Sequence, residues 1–450
     1  MINITTSEYI EEESRVFSLY TITSRAIPYV TDGLKPSYRR ALWVAKGGDK
    51  YKTATLGGLA MSYHPHGEVS EAINTIAAPY GNNIPYFKGM GAFGTLIQPT
   101  AYGASRYTSV TVSNFTKDVL FADIDIIPMQ ENYDGSLMEP KHFLPLVPNV
   151  LLNPISGIAV GFACDILPRS LDDIIEQQII HLSGGEVVEP PPSFQPTGSR
   201  AFGKNEKGEW LFKGEFKRID RQTVRITKLP YGGVHEKFVN KLYNVIEKID
   251  DIVDVEDNSQ EEICIDVKFK KGALSEYTDD LLIKMFGLVS STSENLNVLD
   301  LSCTSVWSTT FVDIVKNFTD WRLKWYVNRY EKMANDIKKD IQRYKDILKA
   351  IEKNVGSVAR KTQDKEELRM LLEAYGIVNI EYIADLPVYR FTENEKDKTT
   401  KKLNDSLTTL SEYEKLLNDE QLRKAEYIND LKVILNNFKK GKYTTTKEQQ

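Results

Sequence analysis

In the stretch "AYGASRYTSV", Arg106 and Tyr107 set a phenol directly beside a guanidinium, after a run of small residues. A free tyrosine titrates near pH ~10 and is a poor nucleophile at neutral pH. An adjacent cation offsets both failings: it favours the phenolate, and it neutralises charge building on a phosphate under attack. The same dipeptide also fits an ordinary strand or turn, and the β-branched "TSVTVS" after it reads as a strand. A second concentration of chemistry-bearing residues lies upstream, in "SRAIPYVTDGLKPSYRRALWVAKGG". There Arg25, Lys35, Arg39, Arg40 and Lys46 face one acid, Asp32, in a chain whose net charge is −6. A local basic excess in an acidic protein suits phosphate better than a merely solvated face. A third is "YHPHGE", where His64 and His66 precede a helix whose free N–H groups and dipole favour an anion. No Cys or further His lies close by to complete a metal site with them.

The elements that must position these residues are readable from spacing. Pro36 suits the first position of a helix over "PSYRRALWV", with Arg39 and Arg40 projecting from it. Val69, Ala72, Ile73, Ile76 and Ala77 fall at i, i+3, i+4, i+7 and i+8, an amphipathic helix. Short helices, a loop and a basic helix are compatible with a helix-turn-helix type of DNA reader. Residues 7–24 read as a helix, and 25–165 as short helices between Gly- and Pro-rich loops. Residues 166–310 mix helices with alternating strands such as "QTVRITKLP" and "EEICIDVKFK". Residues 311–440 are helical and densely charged. Tyr330, Met333, Ile337, Ile341, Tyr344, Leu348, Ile351 and Val355 step by three or four, the seam of a coiled coil. Leu403, Leu407, Leu410, Tyr413 and Leu417 form a second seam, with a compact apolar piece between. An antiparallel pair of about 40–45 residues each makes an arm of ~60–70 Å at ~1.5 Å per residue. An apolar tip near Ile377–Val388 calls for a mate, hence a dimer. "GKYTTTKEQQ" reads as a disordered tail.

Composition narrows the class. With 41% hydrophobic and 27% charged residues the chain is that of a soluble globular protein. No apolar run approaches the ~18–20 residues of a membrane span, and "MINITTSEYIEEESR" is not a signal peptide. Cys164, Cys264 and Cys303 are too few and too dispersed for a disulfide framework or a Cys-based zinc site, which favours a reducing interior. Neither a P-loop nor a set of three carboxylates fit for Mg²⁺ is visible.

Taken in order, these pieces resemble the DNA-breaking subunit of type IIA topoisomerases, the gyrase A and topoisomerase IV A group. The motifs that carry the resemblance are "SRAIPYVTDGLKPSYRRAL", "YHPHGE", "GMGAFG", "SRYTS", "NYDGS", "LLNPISGIAVGFACDILP", "ITKLPYG" and "LPVYRFTENEK", in register along nearly the whole chain. The length is most similar to the medium subunit of multipart topoisomerases of large tailed phages. The resemblance implies an α+β multidomain fold. Residues 1–24 would be a helix contacting a partner subunit, 25–165 a winged-helix DNA-breakage domain and 166–310 an α/β tower domain. Residues 311–440 would be a long antiparallel coiled-coil arm with a small helical C-gate tip at about 356–395, and 441–450 a disordered tail. It also implies roles. Tyr107 would attack a DNA phosphodiester and become linked to the 5′ phosphate, assisted by Arg106. Arg25, Lys35, Arg39 and Arg40 would lie along the DNA, His64 and His66 beside the scissile phosphate. Ile158 would wedge between base pairs; by composition alone it would simply be core. A helix would follow the tyrosine, against its strand propensity. Mg²⁺ and ATP are expected on an ATPase/TOPRIM partner subunit, with no metal held by this chain alone. The activity would be relaxation or decatenation by a homodimer acting on double-stranded DNA in the cytoplasm of a bacterial host. The chain ends after the arm without a DNA-wrapping domain, so introduction of supercoils is not expected.

Some positions depart from the pattern. Met90 and Ala92 replace polar residues of the usual "GQGNFG", and Tyr38 stands where a His is usual. Val69 and Ile73 take the places of a Ser and an acid that support the water–metal bridge of quinolone drugs, which implies weak quinolone sensitivity. Two other classes remain open at this point. A coiled-coil DNA-binding scaffold would not need Arg106-Tyr107. A tyrosine recombinase or relaxase would need several Arg and His around its tyrosine and has no use for a long arm.

Overall fold

The computed structural model describes residues 6–65 and 69–443, with side chains from residue 11 onward in the first helix. Contacts divide it into two units, one of residues up to Arg322 together with those from Ile428 onward, the other Leu323–Tyr427. The first unit opens with α1 (Thr6–Thr21), which runs into a π-type turn at Ile22–Ala26. Helix α2 (Pro36–Val44) starts where proline dictates: Lys35 is extended and Pro36 needs no N–H at the first helical position. Strand β1 (Tyr51–Lys52), α3 (Thr53–Met61) and α4 (Ser70–Ala77) follow, and α4 buries the apolar face formed by Ile73, Ile76 and Ala77. Strands β2 (Phe87–Met90) and β3 (Ser109–Val112) complete a three-stranded antiparallel sheet in the order β1-β3-β2. Three helices backed by a small sheet are a winged-helix arrangement.

Propensity decides the segment after Tyr107. Val110 and Val112 are buried from β3, so the β-branched run is a strand, and helical backbone follows it at Thr116–Leu120. Two hairpins come next, β4 (Met129–Glu131) with β5 (Met138–Pro140), and β6 (Ile155–Ile158) with β7 (Ala163–Ile166).

The rest of this unit is mixed. It comprises α5 (Leu171–Leu182), β8 (Ser193–Phe194), β9 (Ser199–Lys204), β10 (Trp210–Lys213), β11 (Glu215–Arg218), β12 (Thr223–Lys228), α6 (His235–Ile246), β13 (Ile252–Asp257), β14 (Ile265–Phe269), α7 (Asp279–Met285), β15 (Val289–Thr292), β16 (Asn297–Leu299) and β17 (Val306–Ser308). One four-stranded sheet runs β15-β10-β9-β8, the other β11-β12-β14-β13. Phe238 and Leu242 of α6 and Leu282 of α7 cover Val224, Ile226, Ile265 and Val267, the inward alternation of β12 and β14. Leu96 and Ile97, from the loop leading to Tyr107, pack against the same core and tether that loop.

Helix α8 (Phe311–Glu352) has 42 residues, about 63 Å at the usual rise. The second unit continues with α9 (Val355–Val358), α10 (Lys365–Ala374), α11 (Ile380–Ala384), α12 (Glu393–Asn418) and the start of α13 (Glu420–Lys439). Antiparallel packing of α8 on α12 brings Tyr330 within 5.7 Å of Tyr413, ring to ring. The seam differs from its spacing-based assignment by one position. Ala334 and Ile347 are buried, whereas Met333 is exposed and Leu348 half-buried. Along this seam the rings of Tyr326, Tyr330, Tyr413 and Tyr427 pack tilted against one another. Ile347, Ile351, Val355, Leu372, Ile377 and Ile383 form a separate small core at the end of the helix pair. Buried Asp346 pins it, accepting from the backbone N–H of Asn379 at 2.8 Å and from its amide at 2.7 Å.

Residues 444–450 of the expected tail lie outside the described residues. Residues 441–443 are not loose: Tyr443 is buried edge-on against Phe115 and donates to Asp118 at 2.9 Å. Among the described residues no helix is long and apolar enough to cross a membrane.

Candidate active site

Tyr107 sits in a tight turn at the entry to β3, 70% exposed. The turn is closed by its own backbone, Tyr107 N–H to Ala104 O at 2.8 Å. It is held from outside by the junction of β1 and α3. Thr53 N–H donates to Thr108 O at 3.1 Å, Ala54 N–H to Ser105 O at 3.2 Å, and the Thr108 hydroxyl to that of Thr53 at 2.8 Å. Lys52 Nζ reaches Tyr107 O at 3.4 Å. The guanidinium of exposed Arg106 lies over the Tyr107 ring, 4.7 Å from its centroid. Gly103 permits the close approach behind the turn, its N–H bonded to Ala92 O at 2.8 Å. The result is a rigidly based, solvent-facing phenol with a cation on its face. Arg106 and Tyr107 stand out in sequence, whereas Lys52, Thr53 and Ala54 do not, since nothing in "DKYKTAT" advertises a clamp on a remote turn.

The basic stretch is largely consumed within the protein. Arg39 does not project from α2: it is buried and paired with buried Asp32, Nε to Oδ2 at 2.7 Å and Nη2 to Oδ1 at 3.0 Å. Asp32 also accepts the N–H of Leu34 and of Phe143, so the single acid of that stretch is a structural hub. Arg40 is engaged by Glu139 of β5 in a two-bond fork at 2.6 and 3.0 Å. Both arginines were expected along DNA, and the fold uses both for neutralisation. Arg25 is exposed, as is Lys46, whose ammonium sits 3.2 Å from the centroid of the Trp43 ring.

Lys35 is also differently employed. Its Nζ donates to Ser156 O at 2.7 Å, and burial pushes its pKa below the ordinary lysine value. It is a strut under the β6–β7 hairpin. The opposite strand is held by Asn295 and Asn297, whose amides donate to Ala163 O at 2.8 and 2.7 Å. Gly157 abuts Ala26 so closely that a Cβ would stand 2.1 Å from its carbonyl oxygen. Beyond these clamps the hairpin turns at Gly161, φ +78°, and presents Ile158, Val160 and Phe162. Ile158 is 86% exposed, the opposite of a core residue. An apolar tip on a braced hairpin is suited to insertion between stacked groups.

His64 forms a third grouping, its Nε2 3.2 Å from the hydroxyl of Tyr20 and its ring 5.5 Å from that of Tyr133. His66 lies outside the described residues. Val69 and Ile73 are buried, whereas Glu71 and Thr75 of α4 are exposed. Tyr38 is mostly buried, and burial pushes its phenol up to about 12. Among the described residues no three His, Cys, Asp or Glu side chains converge in a way that fits a metal ion.

The chain as a whole is similar to several known proteins. The family model for the A subunit of DNA gyrase/topoisomerase IV matches residues 25–432. The DNA gyrase A subunit of Chlamydia pneumoniae is 28% identical over 481 residues, spanning 97% of this chain and 57% of its own. The DNA topoisomerase medium subunit of Enterobacteria phage T4 is 33% identical over 344 residues, spanning 73% of this chain and 75% of its own. The fold is similar to that of the DNA-binding, cleavage and re-ligation domain of Plasmodium falciparum topoisomerase II. That match has a TM-score of 0.81 at 23% identity, covering 96% of this chain and 65% of that one. The chain thus spans a little over half the length of the bacterial gyrase polypeptide.

Proposed function

This chain belongs to the family of DNA gyrase and topoisomerase IV A subunits, and on that footing we propose that it is the DNA-cleaving and religating subunit of an ATP-dependent type II topoisomerase. The observation that carries the proposal is Tyr107, 70% exposed on a clamped turn with the Arg106 guanidinium over its ring. In the proposed step Tyr107 Oη forms a bond to phosphorus while the P–O3′ bond breaks. The phenolic proton leaves, and the 3′ oxygen takes up a proton to become a hydroxyl. One phosphoester replaces another, so the bond energy is kept for religation. Arg106 offsets charge on the phosphoryl oxygens during attack.

The remaining assignments follow from this one. Ile158, with Val160 and Phe162 beside it, wedges a base step of the bound duplex, and the bend wraps more DNA on the protein. Arg25 contacts the DNA backbone and His64 the phosphate region. Cleaving both strands requires two copies of Tyr107 related by a two-fold axis, so the working species is a homodimer. Its mates meet through the breakage domain and the 356–395 tip, where Val378, Val388 and Tyr389 are exposed. The division at 1–24, 25–165, 166–310, 311–440 and 441–450 is proposed as partner-binding helix, breakage domain, tower, arm with C-gate, and tail. ATP and Mg²⁺ are assigned to a partner subunit carrying the ATPase and TOPRIM modules; Mg²⁺ would supply charge neutralisation at the cleaved phosphate. Relaxation or decatenation in the cytoplasm of a bacterial host is the proposed setting.

The test is to co-purify the chain with a large subunit encoded in the same genome and add supercoiled plasmid, Mg²⁺ and ATP. ATP-dependent relaxation supports the proposal. DNA binding without any relaxation or cleavage would favour a non-enzymatic scaffold.

A further inference from the structure

The turn bearing Tyr107 is gripped from the segment where β1 passes into α3. The backbone donors of Thr53 and Ala54 are spent on Thr108 O and Ser105 O, so these two N–H groups of α3 cannot serve an incoming phosphate. What the segment still offers is charge. Lys52 lies opposite Ser109 in the sheet, is exposed, and makes no ion pair among the described residues. Its ammonium is held beside the backbone of Tyr107, 3.4 Å from that carbonyl, which occupies one of its three donors. Of the cations in the upstream basic stretch, Arg39 and Arg40 are paired with Asp32 and Glu139, and Lys35 Nζ donates to Ser156 O.

We infer that Lys52 is a second cation of the cleavage centre, its ammonium pairing with the non-bridging oxygens of the phosphate that Tyr107 attacks. The inference rests on the assignment of Tyr107 as the nucleophile. Negative charge on those oxygens rises toward the transition state, and a cation fixed beside them lowers the barrier in both directions. Lys52 shares with Arg106 the charge that develops on those oxygens.

The test uses the complex with its partner subunit, supercoiled plasmid and Mg²⁺, quenched with detergent at timed intervals. Four variants are compared: Lys52→Gln, Lys52→Met, Lys52→Arg and Tyr107→Phe. Lys52→Gln and Lys52→Met should slow cleavage and religation alike by ~10-fold or more. They should leave the melting temperature unchanged and reduce the slope of log affinity against log salt by ~0.9. Lys52→Arg should recover most of the rate. Gln keeps a donor for Tyr107 O but no charge, so native rates in Lys52→Gln mean the lysine only braces the turn and overturn the inference. If Tyr107→Phe still forms covalent adducts, the nucleophile assignment fails and this inference with it. If Tyr107→Phe is inert while Lys52→Gln cleaves normally, only the role of Lys52 fails.

Discussion

Replacing Ile158 by alanine should separate folding from DNA deformation. In the free protein the side chain is 86% exposed at the end of β6, so truncation removes no buried contact. Stability should change by no more than ~0.5 kcal/mol, as for ordinary surface substitutions. In the bent complex the same three carbons would be buried between base pairs. At ~0.8 kcal/mol for each carbon withdrawn from water, their loss costs ~2.4 kcal/mol of the energy that holds the base step open. That is roughly a 60-fold shift toward straight DNA, and an upper value, because Val160 and Phe162 remain on the tip. The assay is energy transfer between dyes at the two ends of a short duplex bound to the complex, with affinity followed by anisotropy and stability by thermal melting. A native bend in Ile158→Ala refutes the wedge. A melting temperature lowered by several degrees refutes the claim that the side chain does nothing in the free protein.

Two further outcomes follow from buried charges. Asp32→Asn leaves the Arg39 guanidinium buried without its counter-charge and should cost ~3–5 kcal/mol in urea unfolding; a loss below ~1 kcal/mol would mean that Arg39 is free to leave its pocket for DNA. Burial lowers the His142 pKa from 6.5 to about 4, against the opposing pull of the Phe143 carbonyl and of Asp32. The neutral ring is the folded form, so its contribution is complete above pH ~6.5 and is lost as pH falls toward ~4, by about 3 kcal/mol in all. Stability measured against pH should show that acid-side decline in the native chain and a shallower one in His142→Gln; identical profiles would contradict it.

Residues 109–112 and the β12 and β14 strands were legible because alternation and β-branching reported their burial directly. Local spacing likewise placed Pro36 at the start of α2 and the amphipathic face of α4. What sequence does not display is whatever depends on partners remote in the chain. Arg40 looks open in sequence because Glu139 is 99 residues away. Lys35 looks like a phosphate contact because nothing in sequence brings Ser156 to it from 121 residues away. The Arg39 pairing is closer to legible, since Asp32 lies seven residues before it and an acid ahead of a basic helix is a natural counter-charge. Ile158 shows the converse: composition makes it core, and only its place on a clamped hairpin turns it outward. The α8 seam takes Ala334 rather than Met333, and periodicity that counts large apolar residues does not register a buried small one.

The central claim concerns one oxygen atom. The complex should be incubated with plasmid and Mg²⁺, denatured and digested with protease and nuclease, and the nucleotide-bearing peptide sequenced by mass spectrometry. The account predicts a nucleotide joined through its 5′ phosphate to Tyr107, and no adduct from Tyr107→Phe although that variant still binds DNA. An adduct on any other residue, or one that persists in Tyr107→Phe, would contradict it.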